Sequence, residues 1–239
     1  MNKDLILSVI EKQHLGGLTE QVRWKINNNK ILVNFSVSLK DCIGEVVANF
    51  PLEDCELGIY DLTQFNKLVK IVKDPIQVTV DKKGDKALKL CISDAALDIE
   101  YNLGDLGLIS EGKLTNELPD PVVSLNLTKE FSDKFIKSHN SLEKAEKFQI
   151  KSEITKQKEK TVKFIIGLTD KFSNKISFNE STTEYSELPT FTYNVLNFRE
   201  ILLANKDADL NMFIYSMGII RIDSVTENIK VTYYLVPLR

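Results

Sequence analysis

The sequence predicts an α+β fold made of two similar domains, each with two helices packed on antiparallel sheets, and three observations predict it. The first is a repeat. Tyr60-Asp61-Leu62-Thr63-Gln64-Phe65 returns as Tyr193-Asn194-Val195-Leu196-Asn197-Phe198, each reading as an aromatic at a strand end followed by an amphipathic helix. A repeat longer than about 100 residues points to like domains rather than a solenoid of short units. The second is helical periodicity confined to four windows of about three turns each. The third is period-two alternation of apolar and polar residues elsewhere, broken by turn residues. With 239 residues and 43% hydrophobic composition, two domains can each bury a core.

In chain order, the first helix is expected over Lys3–Gln13, with Leu5, Ile6, Val9 and Ile10 on its apolar side and Asp4 and Glu11 opposite. Asn27-Asn28-Asn29 then turns the chain into a strand over Lys30–Ser38. A second helix follows over Leu62–Lys73, because Phe65, Leu68, Val69 and Val72 recur at i, i+3, i+4 and i+7, leaving Lys67 and Lys70 opposite. Strands are expected over Ile76–Val80 and Leu88–Ile92, separated by the turn Lys82-Lys83-Gly84-Asp85, and over Leu97–Tyr101.

Leu103 to Pro121 collects Gly104, Gly107, Gly112, Pro119 and Pro121 without sustained periodicity, which places a flexible connector at 104–121 between domains at 1–103 and 122–239. The third helix, Thr128–His139, has Leu127, Phe131 and Phe135 on its apolar side and Lys129 and Lys137 pointing away, with Thr128 as its N-cap. A strand over Lys163–Ile166 precedes the turn Thr169-Asp170. The fourth helix, Leu196–Lys206, buries Phe198, Ile201 and Leu202 and takes Asn197 as its cap; a strand over Ile229–Leu235 ends the pattern. Each half then reads helix, three strands, a fourth strand, helix, three strands.

Charge is segregated by element. The whole chain carries −3, but the four helix windows hold ten Lys/Arg against five acids, a balance of +5, and the remainder is −8. Solvated helix faces account for some lysines, since Lys is a good helix former. The second helix goes further, with three lysines and no acid. A phosphate-facing surface requires that, because non-specific DNA affinity comes from Lys and Arg near phosphates. Cys42, Cys55 and Cys91 are odd in number and form no CxxC pair, which suggests neither a disulfide framework nor a zinc site and fits a reducing cytoplasm. No run approaches the ~18 apolar residues of a membrane span, and no leader pattern precedes the first helix, so a soluble intracellular protein without a membrane partner is expected.

Glu56-Leu57-Gly58-Ile59-Tyr60-Asp61-Leu62, then Phe65, Leu68, Val69 and the strands through Tyr101, resembles the DNA polymerase sliding clamps of T-even-type phages. The resemblance is strongest over residues 53–102. From Pro121 onward the strand and helix order still matches, with Leu127-Thr128-Lys129-Glu130-Phe131 in the place of the second domain's first helix. It implies a DNA-clamp (processivity) fold whose two-domain subunit assembles head to tail into a closed homotrimeric ring, with helices lining the hole and sheets outside. Such a ring encircles double-stranded DNA without sequence preference and performs no bond chemistry, so it needs no cofactor. An ATP-dependent clamp loader places it on DNA. Through short peptides it tethers the DNA polymerase and late-transcription factors in the cytoplasm of an infected host cell.

Carried onto this sequence, the resemblance makes Lys67, Lys70, Lys73, Lys129, Lys137, Arg199 and Lys206 the DNA-facing set. Leu106, Leu108 and Ile109 of the connector, with Val236 and Leu238 of the tail, would border the partner-peptide pocket; Leu235 reads equally well as part of a last strand packed on its sheet. Subunits would meet through the strand bearing Leu97, Ile99 and Tyr101 and the one bearing Phe172, Ile176 and Phe178. The physics agrees: a ring that slides cannot read bases, since each base-specific contact of ~1–3 kcal/mol acts as a brake, and an acidic exterior discourages side-on DNA binding. Asp4, Glu11, Asp133 and Glu200 dilute the positive lining.

Other motifs carry less. Residues 107–114 approach the phosphate loop GxxxxGK[ST], but Leu114 replaces the Mg²⁺-holding hydroxyl, and Pro119 and Pro121 follow where a helix should begin. His14 and His139 have no metal-ligand spacing and read as helix-end residues, Trp24 reads as core, and no GxSxG occurs. Lys156-Gln157-Lys158-Glu159-Lys160 reads as a solvated hairpin tip. Two rival readings stay open: a non-enzymatic β-rich structural or scaffold protein of a virus, and an enzyme using Asp61 or Asp94 at a sheet end.

Overall fold

Asparagine decides the first hairpin before any packing does. Asn28 and Asn29 take φ of 51° and 57°, the left-handed pair of a two-residue hairpin turn that Asn tolerates, and so Val22–Asn27 (β1) folds back on Lys30–Ser36 (β2). The computed structural model describes residues 2–112, 117–154, 159–167 and 173–238. The chain forms two compact units. The first comprises Met1–Ser38, Ile43–Lys113 and Thr226–Val231, and the second Leu39–Cys42, Leu114–Val225 and Thr232–Arg239.

In the first unit, α1 (Lys3–His14) starts where the Asn2 side chain accepts the Asp4 N–H. Strands β1 and β2 are followed by β3 (Cys42–Asn49) and β4 (Cys55–Ile59), in the antiparallel order β4-β1-β2-β3. Val22, Trp24 and Ile26 alternate inward along β1. Phe35 on β2 lies opposite Gly44 on β3. A Cβ at Gly44 would sit 2.2 Å from the Phe35 ring, so glycine is what lets the ring lie flat across the neighbouring strand. After α2 (Leu62–Ile71) come β5 (Gln77–Lys83), β6 (Lys86–Ser93) and β7 (Asp98–Asn102), a three-stranded sheet with β6 in the middle. Trp24 centres the core, edge-on to Phe50 and Phe65 at 5.6 Å each. Each such fully buried aromatic contributes ~1.5–3 kcal/mol of transfer free energy.

The second unit repeats this order with one strand added in front. It runs β8 (Val123–Leu127), α3 (Lys129–Asn140), β9 (Lys147–Ile154), β10 (Lys160–Gly167), β11 (Lys175–Ser181), β12 (Phe191–Asn194), α4 (Val195–Ala204), β13 (Leu210–Ile214), β14 (Ile220–Val225) and β15 (Ile229–Leu235). Its sheets have the orders β11-β10-β9-β12 and β15-β14-β13-β8. Phe131, Phe135, Phe148, Phe164 and Phe198 form its core, with Phe135 and Phe198 as near as 4.7 Å. Among the described residues no helix is long and apolar enough to cross a membrane.

The repeated hexapeptide is a helix-start code. Asp61 caps α2 by accepting the Gln64 N–H, and Asn194 caps α4 by accepting those of Leu196 and Asn197. The aromatic before each cap and the Phe at the fourth helical position form a hydrophobic staple. In both units a third ring completes it. Tyr101 lies between Tyr60 (5.4 Å) and Phe65 (4.9 Å), and Phe148 between Tyr193 (5.3 Å) and Phe198 (5.0 Å).

The four helices and the six named strands are present with shifted ends. Thr128 caps α3 as expected, accepting the Phe131 N–H. Asn197 does not cap α4; it is buried inside the helix, one turn beyond Asn194. Helix α2 stops at Ile71 because Val72 turns extended and the Lys3 ammonium takes its carbonyl at 2.9 Å. Trp24 is fully buried, as expected.

Candidate nucleic-acid interface

Helix α2 carries the cleanest positive face. Its apolar stripe, Leu62, Phe65 and Val69, is buried, so Gln64, Lys67 and Lys70 are left exposed at successive i, i+3 positions. The helix holds no acid, and neither Lys67 nor Lys70 has a carboxylate within 4.0 Å among the described residues. Gln64 went unremarked in the sequence because it is uncharged, but its amide can also donate to a phosphate. Lys73 lies past the end of the helix, not on it. Its N–H donates to Asp94 Oδ2 at 2.6 Å, while Asp94 Oδ1 takes those of Ala96 and Leu97. Hydrogen bonds from the Ala96, Lys73 and Leu97 amides hold the Asp94 carboxyl below the usual range. That carboxylate offsets part of the Lys73 charge.

The second unit is more mixed. Lys129 and Lys137 are exposed on α3 and lack a carboxylate within 4.0 Å among the described residues, but exposed Asp133 stands midway between them at i+4. Lys134 is spent on Glu180 at 2.7 Å. Arg199 differs from expectation: it is half-buried and paired with Glu200, so its charge is largely neutralised inside the unit. Lys206 is exposed in the turn after α4 rather than on the helix.

Several strand cations behave differently. Lys25 pairs with Glu111, Arg23 with Glu56 and Glu111, Lys82 with Glu53, Lys89 with Glu100, Lys163 with Glu153 and Arg221 with Asp223. Lys67, Lys70, Lys129 and Lys137 on the exposed helix faces keep an uncompensated charge, and these strand cations do not.

The connector, expected to be flexible, is pinned over residues 105–112. Asp105 caps a 3-10 turn over Leu106–Leu108 by accepting the Gly107 N–H at 2.8 Å. Ile109 is 8% exposed and packs where Gly58 leaves room; Leu108, beside it, is 82% exposed. Glu111 reaches Lys25 at 2.8 Å and Arg23 at 3.4 Å. Gly112 lies so near the Phe35 carbonyl that a Cβ would fall 2.4 Å from it. The would-be phosphate loop therefore meets a carbonyl at its second glycine, and its last two residues lie outside the described ones.

Leu106 lines a cavity of about 710 Å³ in the first unit with Lys25, Leu32, Val47 and Ala87. Val236 and Leu238 belong to the second unit, where their N–H groups donate to Asp41 O and Thr192 O. That unit also holds a concavity of about 500 Å³ between residues 117–121 and Tyr215, Arg221 and Tyr234. Sequence reading missed the last three, whose strand pattern carries no signal that they share a hollow.

Both strands expected at subunit contacts are sheet edges, β7 and β11. The bonds Leu103 N–H to Leu88 O and Asp94 N–H to Leu97 O fix the phase of the β6–β7 ladder, so the N–H and C=O groups of Asp98, Glu100 and Asn102 face away from the sheet. Leu97 is 40% exposed and Ile99 half-buried, whereas Tyr101 is committed to the core, its hydroxyl accepting the Asp61 N–H. Ile176 and Phe178 are half-buried on β11; Phe172 lies outside the described residues.

The remaining candidates have structural duties. Asp61 and Asp94, the carboxylates of the rival enzyme reading, are engaged by backbone amides. The Thr63 hydroxyl donates to Glu20 at 2.6 Å and so receives from His14 Nε2 at 2.9 Å. His139 donates to Ala145 O, and burial pushes its pKa down. No group of three or more metal-ligating side chains occurs among the described residues.

No family model and no curated protein matches the sequence. Solved structures do match in fold. The proliferating cellular nuclear antigen (PCNA) of Entamoeba histolytica aligns at a TM-score of 0.73 with 15% identity over 99% of this chain and 96% of that one. The PCNA of A. fulgidus, solved with the C-terminal region of FEN-1 bound, aligns at 0.74 with 15% identity over 100% and 97%. The chain has the PCNA-type clamp fold.

Proposed function

We propose that this chain is a sliding clamp: copies of it join head to tail into a closed homotrimeric ring that encircles double-stranded DNA and tethers partner proteins. The observation that carries this reading is an exposed, acid-free positive helix face on a clamp fold. Lys67 and Lys70 on α2 and Lys129 and Lys137 on α3 are exposed with no carboxylate within 4.0 Å among the described residues, while Arg23, Lys25, Lys82, Lys89, Lys163 and Arg221 on strands are neutralised by neighbouring acids. Free ammonium groups attract phosphate without reading bases, which suits a ring that must stay mobile.

The open edges of β7 and β11 are the elements through which subunits join. Their outward N–H and C=O groups would be an aggregation hazard if left unpaired, and a heterologous pairing that closes by rotation removes it. Two like domains, 1–103 and 122–239, joined by the connector at 104–121, supply one such edge each. The resemblance of residues 53–102 to T-even-type phage clamps makes the replicative DNA polymerase and an ATP-dependent loader its partners, with late-transcription factors as further clients. The A. fulgidus neighbour, with its bound FEN-1 tail, supports docking of short peptides. The hollow at Tyr215 and Tyr234, in the unit that also holds Val236 and Leu238, is where they would dock.

Native mass spectrometry and negative-stain imaging of the purified chain test the assembly. Three copies around a hole are expected; a lone subunit or a larger shell would refute the ring and favour a scaffold protein. Lys67→Glu combined with Lys70→Glu should leave the ring intact and shorten its retention on nicked circular DNA. Unchanged retention would remove α2 from the DNA-facing surface.

A further inference from the structure

We propose that the free edge of β5, at Val78 and Val80, is a docking site for an extended segment of a partner protein, which adds as a fourth strand where β8 stands in the second unit. Comparison of the two units motivates this. In the second, the sheet runs β15-β14-β13-β8, with β8 immediately ahead of α3. The corresponding sheet of the first runs β7-β6-β5, and among the described residues no strand pairs with the outer edge of β5.

The open edge shows in burial. On β13, covered by β8, Leu210, Met212 and Ile214 are at most 1% exposed. On β5 the inward-facing Val78 and Val80 are only half-buried. Backbone groups point the same way. The β6–β7 ladder uses the even-numbered residues of β6, so its odd ones, Lys89, Cys91 and Ser93, bond to Asp81, Thr79 and Gln77 of β5. The N–H and C=O groups of Val78 and Val80 are therefore turned outward.

The edge is blunted only at its far end. A register shift after Asp81, with Lys82 and Lys83 beyond it, is the device proteins use to keep strands from pairing. Gln77–Val80 has neither a bulge nor a charge. Lys82 is held by Glu53, but Lys83 is exposed and has no carboxylate within 4.0 Å among the described residues.

Strand β8 shows what chemistry fits. It runs antiparallel to its neighbour, turns Val123, Leu125 and Leu127 inward, and follows Asp120. The occupant of β5 is accordingly an antiparallel segment with aliphatic residues at alternate positions and a carboxylate a few residues ahead of them, near Lys83. This is recognition by strand addition, in which main-chain bonds give affinity and alternate side chains give specificity.

A peptide with the sequence of residues 120–128, added to the intact chain, is the probe, and residue-resolved amide exchange by NMR is the readout. Exchange at Val78 and Val80 should slow with saturable dependence on peptide. Val78→Pro removes an outward N–H without touching the bond to β6 and should weaken binding about tenfold or more. Should that variant unfold, peptide chemistry replaces it: N-methylation at alternate residues in one phase should abolish binding, and the opposite phase should leave it intact. Four results would overturn the proposal: no slowing at millimolar peptide, protection at Asp98 and Glu100 instead, displacement of β8 from β13, or protection that rises with chain concentration alone. The last would mean that a second copy covers the edge. Ring formation and DNA retention do not enter this readout, so the clamp reading and this one fail separately.

Discussion

Replacing both Lys67 and Lys70 by alanine isolates the electrostatics of α2. Each side chain is exposed and unpaired, so truncation strands no buried partner, and stability should change by less than about 0.5 kcal/mol. If each ammonium neutralises one phosphate, each contributes about 0.9 to the slope of log affinity against log salt, and the double variant should lose about 1.8 from it. Raising salt fourfold, from about 50 to about 200 mM, should then shrink the advantage of the wild type over the variant about tenfold. Fluorescence anisotropy of a short labelled duplex, titrated at several salt concentrations, reads this directly. Lys89→Ala with Lys163→Ala is the matched control. Those ammonium groups are spent on Glu100 at 2.6 Å and Glu153 at 3.2 Å, so their removal should leave the slope near the wild-type value. Parallel salt slopes for wild type and the Lys67/Lys70 variant, or a larger loss in the control, would refute the reasoning that unpaired helix lysines carry DNA contact.

Two further outcomes follow from the helix starts and the α1–α2 contact. Asp61→Ala and Asn194→Ala each remove a cap and should each cost about 1 kcal/mol, lowering the melting temperature by about 2–4 °C in a chain of this size; thermal unfolding followed by circular dichroism checks both, and a shift at only one position would break the equivalence of the two repeats. Glu20 is destabilised as a carboxylate by burial, but the Thr63 hydroxyl and amide and His14 outweigh this and hold its pKa below the usual range. A depressed native pKa means stability that is complete above the unfolded value and is lost as pH falls through the native one. The wild type should therefore exceed Glu20→Gln in urea midpoint at neutral pH, with the gap closing in acid; a gap independent of pH would refute it.

Helices were legible in the sequence because their apolar residues recur with a period of 3.6 and their neighbours are polar. Helix ends were less legible. Asn197 and Asn194 are both capping residues by type, and the choice depends on where β12 ends. The signal that could have decided it was Asp61 at the matching position of the repeat. Lys73 and Lys206 read as helical by pattern, but the chain turns extended at Val72, and α4 ends at Ala204.

Pairing was the least visible layer. Nothing in the letters says that Arg199 meets Glu200 while Lys67 meets no acid among the described residues, since a salt bridge depends on rotamers and on the neighbouring turn. The pinned connector was hidden for a similar reason. Gly112 and Glu111 read as loop residues until Phe35, Arg23 and Lys25, far away in sequence, are brought beside them.

By itself the sequence determined the duplication, the α+β class, the four helices and the positive bias of their faces, because local periodicity and composition act over a few neighbouring residues. Tertiary structure alone decided which charges stay free, which strands end up as edges, and that among the described residues β5 keeps an open edge where β13 is covered by β8. Each of those depends on what non-local strand pairing brings within hydrogen-bond reach, and a linear string of residues does not contain that distance.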